Sequence, residues 1–115
     1  MVKEYNNRKH YIKDKKITIL EGVNQGPLPD EYTWRPIKNG ENVWAYYRQA
    51  TVNEHNSASL AGYDIEAIFR VNWRDNIHMD NRIDFRGERY EISRIDDFEG
   101  YKNDLTIYAT HYKGG

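Results

Sequence analysis

From Tyr63 to Trp73 the chain alternates: Ile65, Ala67, Phe69, Val71 and Trp73 occupy one set of positions, and Asp64, Glu66, Ile68, Arg70 and Asn72 the other. A period of two marks a β-strand with one face against a core and the other in water. Such a strand needs partners for its buried face and for both hydrogen-bonding edges. The rest of the chain offers them. Ile17 and Ile19 share a face in a short run, Lys16–Leu20, that Glu21-Gly22 ends. Between Asn42 and Val52, Val43, Ala45 and Tyr47 lie opposite Trp44, Tyr46 and Arg48, so both faces are partly apolar. Arg82–Phe85 and Glu88–Ile92 flank Arg86-Gly87, the spacing of a two-residue hairpin in which glycine takes positive φ. The next apolar residue after Ile92 is Ile95, which places a bulge near Ser93-Arg94. Leu105, Ile107 and Ala109 alternate in a last strand running to about Tyr112.

The strongest alternating sets define the expected core: Ile65, Ala67, Phe69, Val71 and Trp73 against Ile83, Phe85, Tyr90, Ile92, Leu105 and Ile107. Two segments read as loops. Asn24–Gly40 holds Gly26, Gly40 and all three prolines, and Asn53–Gly62 is small, polar and poor in β-branched residues, the mark of a flexible connection. No stretch carries a 3.6-residue period. The expectation is one all-β domain over residues 1–115, a small antiparallel β-barrel of five to six strands with long flexible loops, closed because closure removes exposed edges.

Composition narrows the function. Seventeen basic residues against eighteen acidic ones give a formal charge of -1, which leaves no excess to neutralise phosphates. The basic residues lean toward the N-terminus, where residues 1–15 read as a solvated basic arm with Lys3, Arg8, Lys9 and Lys13 as candidate contacts. With no cysteine, disulfides, thiolate nucleophiles and thiolate metal sites are all ruled out. No apolar run approaches the roughly 18 residues of a membrane span, and Met1–Asn7 has no signal-peptide centre, so a soluble protein retained in the cell that makes it is expected. GxGxxG, GxxxxGK[ST] and GxSxG are absent. His10, His55, His78 and His111 lie in four separate segments without HExxH spacing, and Asp96-Asp97 with Glu99 reads as a solvated turn. No catalytic residue, cofactor or metal is expected. The arginines from Arg48 to Arg94 interleave with aromatics, as in barrels that bind single-stranded nucleic acid, or they pair with Asp and Glu across strands. The nearly equal charges favour pairing. Ten tyrosines and three tryptophans suit strand faces and protein interfaces.

The order of these elements resembles a known family. An Ile17-Thr18-Ile19 strand precedes a Pro/Gly-rich loop with Tyr32-Thr33-Trp34, then Val43-Trp44-Ala45 and a variable loop. Phe69–Ile77 follows as an alternating strand running into Arg74-Asp75-Asn76-Ile77, then Arg82-Ile83-Asp84-Phe85-Arg86-Gly87-Glu88-Arg89-Tyr90-Glu91-Ile92, and Asp104-Leu105-Thr106-Ile107. Over about Ile17 to Tyr112 the chain is similar to the head-closure, or stopper, proteins of long-tailed bacteriophages, also called the head-tail joining family. Asn76, between Asp75 and Ile77, departs from the family's Asp-Ile at a turn that carries no chemistry.

The resemblance implies a non-enzymatic barrel subunit in the virion, at the head-tail interface, passing through the host cytoplasm during assembly. It implies a homo-oligomeric ring below the portal and adaptor, with a tail-completion protein beneath and packaged DNA in the channel without sequence-specific binding or membrane contact. The 53–62 loop would then be the interface or gating element, through Glu54, His55, Asn56, Ser57, Ala58, Ser59, Leu60 and Ala61, with Leu60 its large apolar anchor. A single-stranded nucleic-acid-binding barrel is the alternative, and a small enzyme or metal protein the third class. The charge balance separates the first two: the purified chain is expected to bind neither single- nor double-stranded DNA tightly at physiological salt. Sub-micromolar binding with a steep salt slope in a fluorescence titration would favour the nucleic-acid barrel.

Overall fold

The computed structural model describes residues 11–28 and 31–113. Its strands are β1 (Lys15–Asn24), β2 (Tyr32–Pro36), β3 (Val43–Gln49), β4 (Ala67–Asn72), β5 (Arg82–Phe85), β6 (Glu88–Asp96) and β7 (Asp104–His111), with helix α1 (Val52–Leu60) between β3 and β4. All pairings are antiparallel. The order β1-β3-β4-β7-β6-β5 returns to β1 and closes a six-stranded barrel, while β2 adds a seventh strand alongside β1. The sheet expected from the alternation is thus formed.

Closure depends on β1, which is long enough to serve three partners. Lys15–Ile17 pair with β3, Thr18–Leu20 with β5, and Leu20–Asn24 with β2. Between β2 and β3 the chain stays on β1: the Ile37 amide donates to the Ile19 carbonyl and the Ile19 amide to the Gly40 carbonyl, each at 2.9 Å. A side chain at Gly40 would meet the Ile19 carbonyl at 2.9 Å and the Ile37 side chain at 2.5 Å, so only glycine fits this crossing. The expected hairpin forms around Arg86 (φ 52°) and Gly87 (φ 77°), and the expected bulge falls between Ile92 and Arg94.

Inside, Phe69 and Ile83 from opposite walls are fully buried with Ile17, Ile19, Val71 and Ile107. An aromatic cluster fills the centre. Phe69 meets Phe85 and Tyr90 edge-on at 5.4 and 5.5 Å, and Tyr47 lies 4.7 Å from Phe85. Such tilted geometries favour the positive ring edge over the negative face.

Four expectations are corrected. Tyr32–Pro36, inside the presumed 24–40 loop, is strand β2; Pro36 occupies its last position, where a missing N–H is tolerated, and β1 runs past Leu20 to receive it. Asn53–Gly62 is not a flexible loop, since α1 runs to Leu60 between two satisfied caps. Trp73 is only half-buried, because it sits at the barrel's rim. Ile68, assigned to the wet face, is 3% exposed beneath an outer layer that includes Tyr11, Tyr46 and Tyr108. Aromatic side chains cover that wall from outside. Phe69→Ala removes the ring that touches three others and should cost about 3 to 5 kcal/mol. Urea denaturation of the variant checks this, and an unchanged midpoint would mean that the strand faces are reversed.

Candidate docking surface

Helix α1 rises from the end of β3 because both its termini are capped. Thr51 stands at the N-cap with extended backbone; its hydroxyl accepts from the Glu54 amide at 3.2 Å, while the Glu54 carboxylate accepts from the Thr51 amide at 2.9 Å. This reciprocal box satisfies two otherwise orphaned donors. Arg48 at the end of β3 donates to both oxygens of Glu54, each at 2.6 Å, and fastens the first turn to the barrel. Those bonds hold the Glu54 carboxyl at about 2, well below its ordinary 4.5. At the other end Gly62 takes φ 93°, the Gly62 amide donates to the Ser59 carbonyl, and the Tyr63 amide donates to the Ala58 carbonyl. That double closure is the glycine-terminated helix stop.

The caps fix which residues face out. Ala58 is the buried contact of α1, and the His55 Nδ1 lies 3.1 Å from the Ile65 carbonyl. Val52 is 75% exposed and Leu60 91% exposed, so the two large apolar residues of the helix are unpartnered. Leu60 is therefore not an anchor to its own barrel. Asn56, Ser57, Ser59 and Ala61 are exposed beside it. The caps set residues 54–61 in a helical turn rather than a loop, with Asn56 and Leu60 on the outward side with Val52, and Glu54, His55 and Ala58 on the side that meets the barrel. The N-terminal candidates do not join it. Lys13 pairs with Asp104 at 2.9 Å at the opposite end of β7, where Arg70 shares that carboxylate at 2.9 Å, and Lys3, Arg8 and Lys9 lie outside the described residues.

Below α1 opens a concavity of about 400 Å3 lined by Thr51, His55, Tyr47, Glu66, Tyr90 and His111. Its floor carries a cluster that residue spacing did not reveal. The His111 Nδ1 lies 3.1 Å from Glu66 and its Nε2 lies 2.9 Å from Glu88, with the ring 4.5 Å from Tyr90. Both ring nitrogens donate only in the charged ring, and the bonds to Glu88 and Glu66 raise the His111 pKa above 6.5. Partial burial pushes the Glu66 carboxyl up, but hydrogen bonds from Thr110 and from the His111 amide and ring outweigh it and hold it at about 2. The cluster ties the end of β7 to the start of β4 and to the β5–β6 hairpin. Among the described residues no three His, Cys, Asp or Glu side chains are grouped to hold a metal ion.

The arginines are engaged within the fold. Besides Arg48 and Arg70, Arg89 binds Asp84 at 2.8 Å, and Arg82 lies between the Trp34 and Tyr112 rings at 3.9 Å from each. Arg70 and Arg89 pair with Asp across strands, as the charge balance favoured, whereas Arg48 pairs with the helix and Arg82 stacks on aromatic rings.

The described residues form a small β-barrel domain, six strands closed on themselves with a seventh strand alongside and one capped helix. The chain belongs to the phage head completion protein family, whose sequence signature matches residues 7–111. Membership gives it a structural role in the phage head, a place in the virion and interactions with other phage head or tail proteins. Protein SF1141 from Shigella flexneri 2a has a similar structure, with TM-score 0.69 and 18% identity over 90% of this chain and 96% of that one. At that identity the likeness establishes the fold alone. Among curated proteins no sequence relative matches.

The His111 cluster has a pH window. Its raised pKa makes its stabilisation complete below pH 6.5 and lost as pH rises through the folded value; Glu66 contributes above 4.5 and loses its contribution as pH falls toward 2. A Tm-against-pH profile should therefore decline on the alkaline side in wild type and lose that decline in His111→Gln, with the acid limb retained. Identical alkaline limbs would show that the cluster does not stabilise the fold.

Proposed function

We propose that this chain is a head-closure subunit. It assembles as a ring beneath the portal and adaptor, retains packaged DNA in the capsid and presents the surface on which the tail docks. The observation that carries this reading is α1: a helix held rigid at both ends whose two large apolar side chains are given to solvent. Capping and the Arg48–Glu54 pair have fixed this helix before any partner arrives, so docking costs little ordering entropy. Exposed apolar residues rimmed by polar ones, here Asn56, Ser57 and Ser59, are what a protein contact requires. Contact with a neighbouring subunit, the adaptor or a tail-completion protein is made through Leu60, with Val52 and Asn56 beside it, while Glu54 and His55 hold the helix against the barrel.

The near-neutral charge supports the same role. A channel through which DNA slides should not hold phosphates by counterion release. The role is non-enzymatic, and the protein is expected in the host cytoplasm until it joins the head.

Val52→Asp with Leu60→Asp tests the helix directly. Both positions are exposed, so the barrel's Tm should stay nearly unchanged, while head-to-tail joining or DNA retention in a phage complementation assay should be lost. Full assembly by this variant would reduce α1 to a connector.

A further inference from the structure

The concavity of about 400 Å3 beneath α1 has the size of a binding pocket, and three rings stand in its walls: Tyr47 from β3, Tyr90 from β6 and His111 from the end of β7. The barrel fixes these rings from behind. Tyr47 packs on Phe69 and Phe85 at 5.4 and 4.7 Å, and Tyr90 lies 5.5 Å from Phe69 and 4.5 Å from His111. The pocket is therefore preformed. Val52 belongs both to its lining and to the outward side of α1, so the concavity continues the surface that the helix offers.

The charges in the lining are already matched. The His111 Nδ1 lies 3.1 Å from Glu66 and its Nε2 2.9 Å from Glu88, and Glu66 accepts in addition from the His111 amide and the Thr110 hydroxyl. An entering cation would sit beside the imidazolium and an entering anion beside Glu66, so the lining selects neither sign. The neutral polar groups are not spent in this way. With the His55 Nδ1 3.1 Å from the Ile65 carbonyl, that nitrogen carries the proton of the neutral ring and Nε2 keeps its lone pair. Among the described residues neither that Nε2 nor the Tyr47 hydroxyl has a hydrogen-bond partner, and neither is sealed from solvent.

We infer that the concavity receives one polar-tipped aromatic side chain, a tyrosine or a tryptophan, from the protein that docks on α1. The inference rests on the docking reading of α1 and names the group by which the partner is anchored. Walls built of rings accept another ring edge to face. A phenolic O–H or an indole N–H can donate to the His55 lone pair, and a phenolic oxygen can accept from the Tyr47 hydroxyl. An aliphatic side chain would leave both groups unpaired once water is excluded, and an arginine or a carboxylate would meet a like charge. Tyrosine and tryptophan seated in preformed pockets are also the side chains that carry most of the energy at protein contacts.

Amides of single amino acids test the pocket on the whole chain. N-acetyl-tyrosinamide and N-acetyl-tryptophanamide, titrated under two-dimensional amide NMR, should shift the signals of Gln49, Val52, His55 and His111 and bind about threefold or more tighter than the leucine, phenylalanine and arginine analogues. Unmoved signals at these residues, or a comparison amide that binds as well, overturn the inference. Ala50→Phe and Gln49→Trp each fill the concavity from its own lining. At nearly unchanged Tm, each should abolish the tyrosinamide shifts and lower infectious particles in phage complementation by about tenfold or more. Should either variant fail to fold, the titration of the wild-type chain decides alone. Full assembly by Val52→Asp with Leu60→Asp overturns the docking reading and the inference with it. A defect in that variant beside wild-type complementation by folded Ala50→Phe overturns the pocket and leaves the docking reading standing.

Discussion

Three residue pairs, Thr18–Asp84, Ile19–Ile83 and Leu20–Arg82, turn an open sheet into a barrel. Strands β2 and β3 join through β1, β3 and β4 across α1, β5, β6 and β7 in succession, and β4 with β7 by a pairing that skips two strands; the β1–β5 pairing then brings the sheet back on itself. The core depends on it. Ile19 and Ile83 are both fully buried and face each other across the seam, so seam and interior are one set of contacts. With the edges paired, the backbone has few free donors and acceptors to recruit partners, and recognition falls to side chains and to the connections at the two ends. The fold thereby decides where function can reside.

What the sequence made legible follows from the range of each signal. The Arg86-Gly87 turn and the Ser93 bulge are local patterns of turn chemistry and period found where expected, and the β4 alternation places Ala67, Phe69 and Val71 inward as expected but in a strand that begins at Ala67. Strand β2 was missed because its five residues gain order from pairing with β1 rather than from their own pattern, and Pro36 argued against it. The helix was missed for a different reason. Its interior composition is loop-like, yet Thr51-Val52-Asn53-Glu54 is a capping box and Gly62 a helix stop, both readable by eye. Termini, not interior residues, specify this element.

The candidate sites show a sharper limit. His55 lies in the segment expected to make the contact, whereas His111, in no motif, holds the position between Glu66 and Glu88, residues 45 and 23 positions away in sequence. Such a cluster exists only once β4, β6 and β7 are in register, and no window of the sequence contains it. Ile68 makes the same point for packing. Its polar neighbours in sequence indicate a wet face, but Tyr46 from β3 and Tyr108 from β7 belong to the layer outside it. Burial on the outside of a barrel is a property of neighbouring strands.

The two ends of the barrel use charge in opposite ways. At the α1 end the ionic groups are matched within the chain: Arg48 with Glu54, and His111 with Glu66 and Glu88. Their pairing leaves a face whose remaining character is apolar, and apolar contacts are little affected by ionic strength. At the opposite rim Lys38, Lys102, Asp97 and Glu99 remain unmatched among the described residues, so attraction there is long-ranged, salt-screened and able to orient an approaching molecule before contact. The fold thus gathers matched charges and an exposed apolar helix at one end and leaves charges of both signs open to solvent at the other.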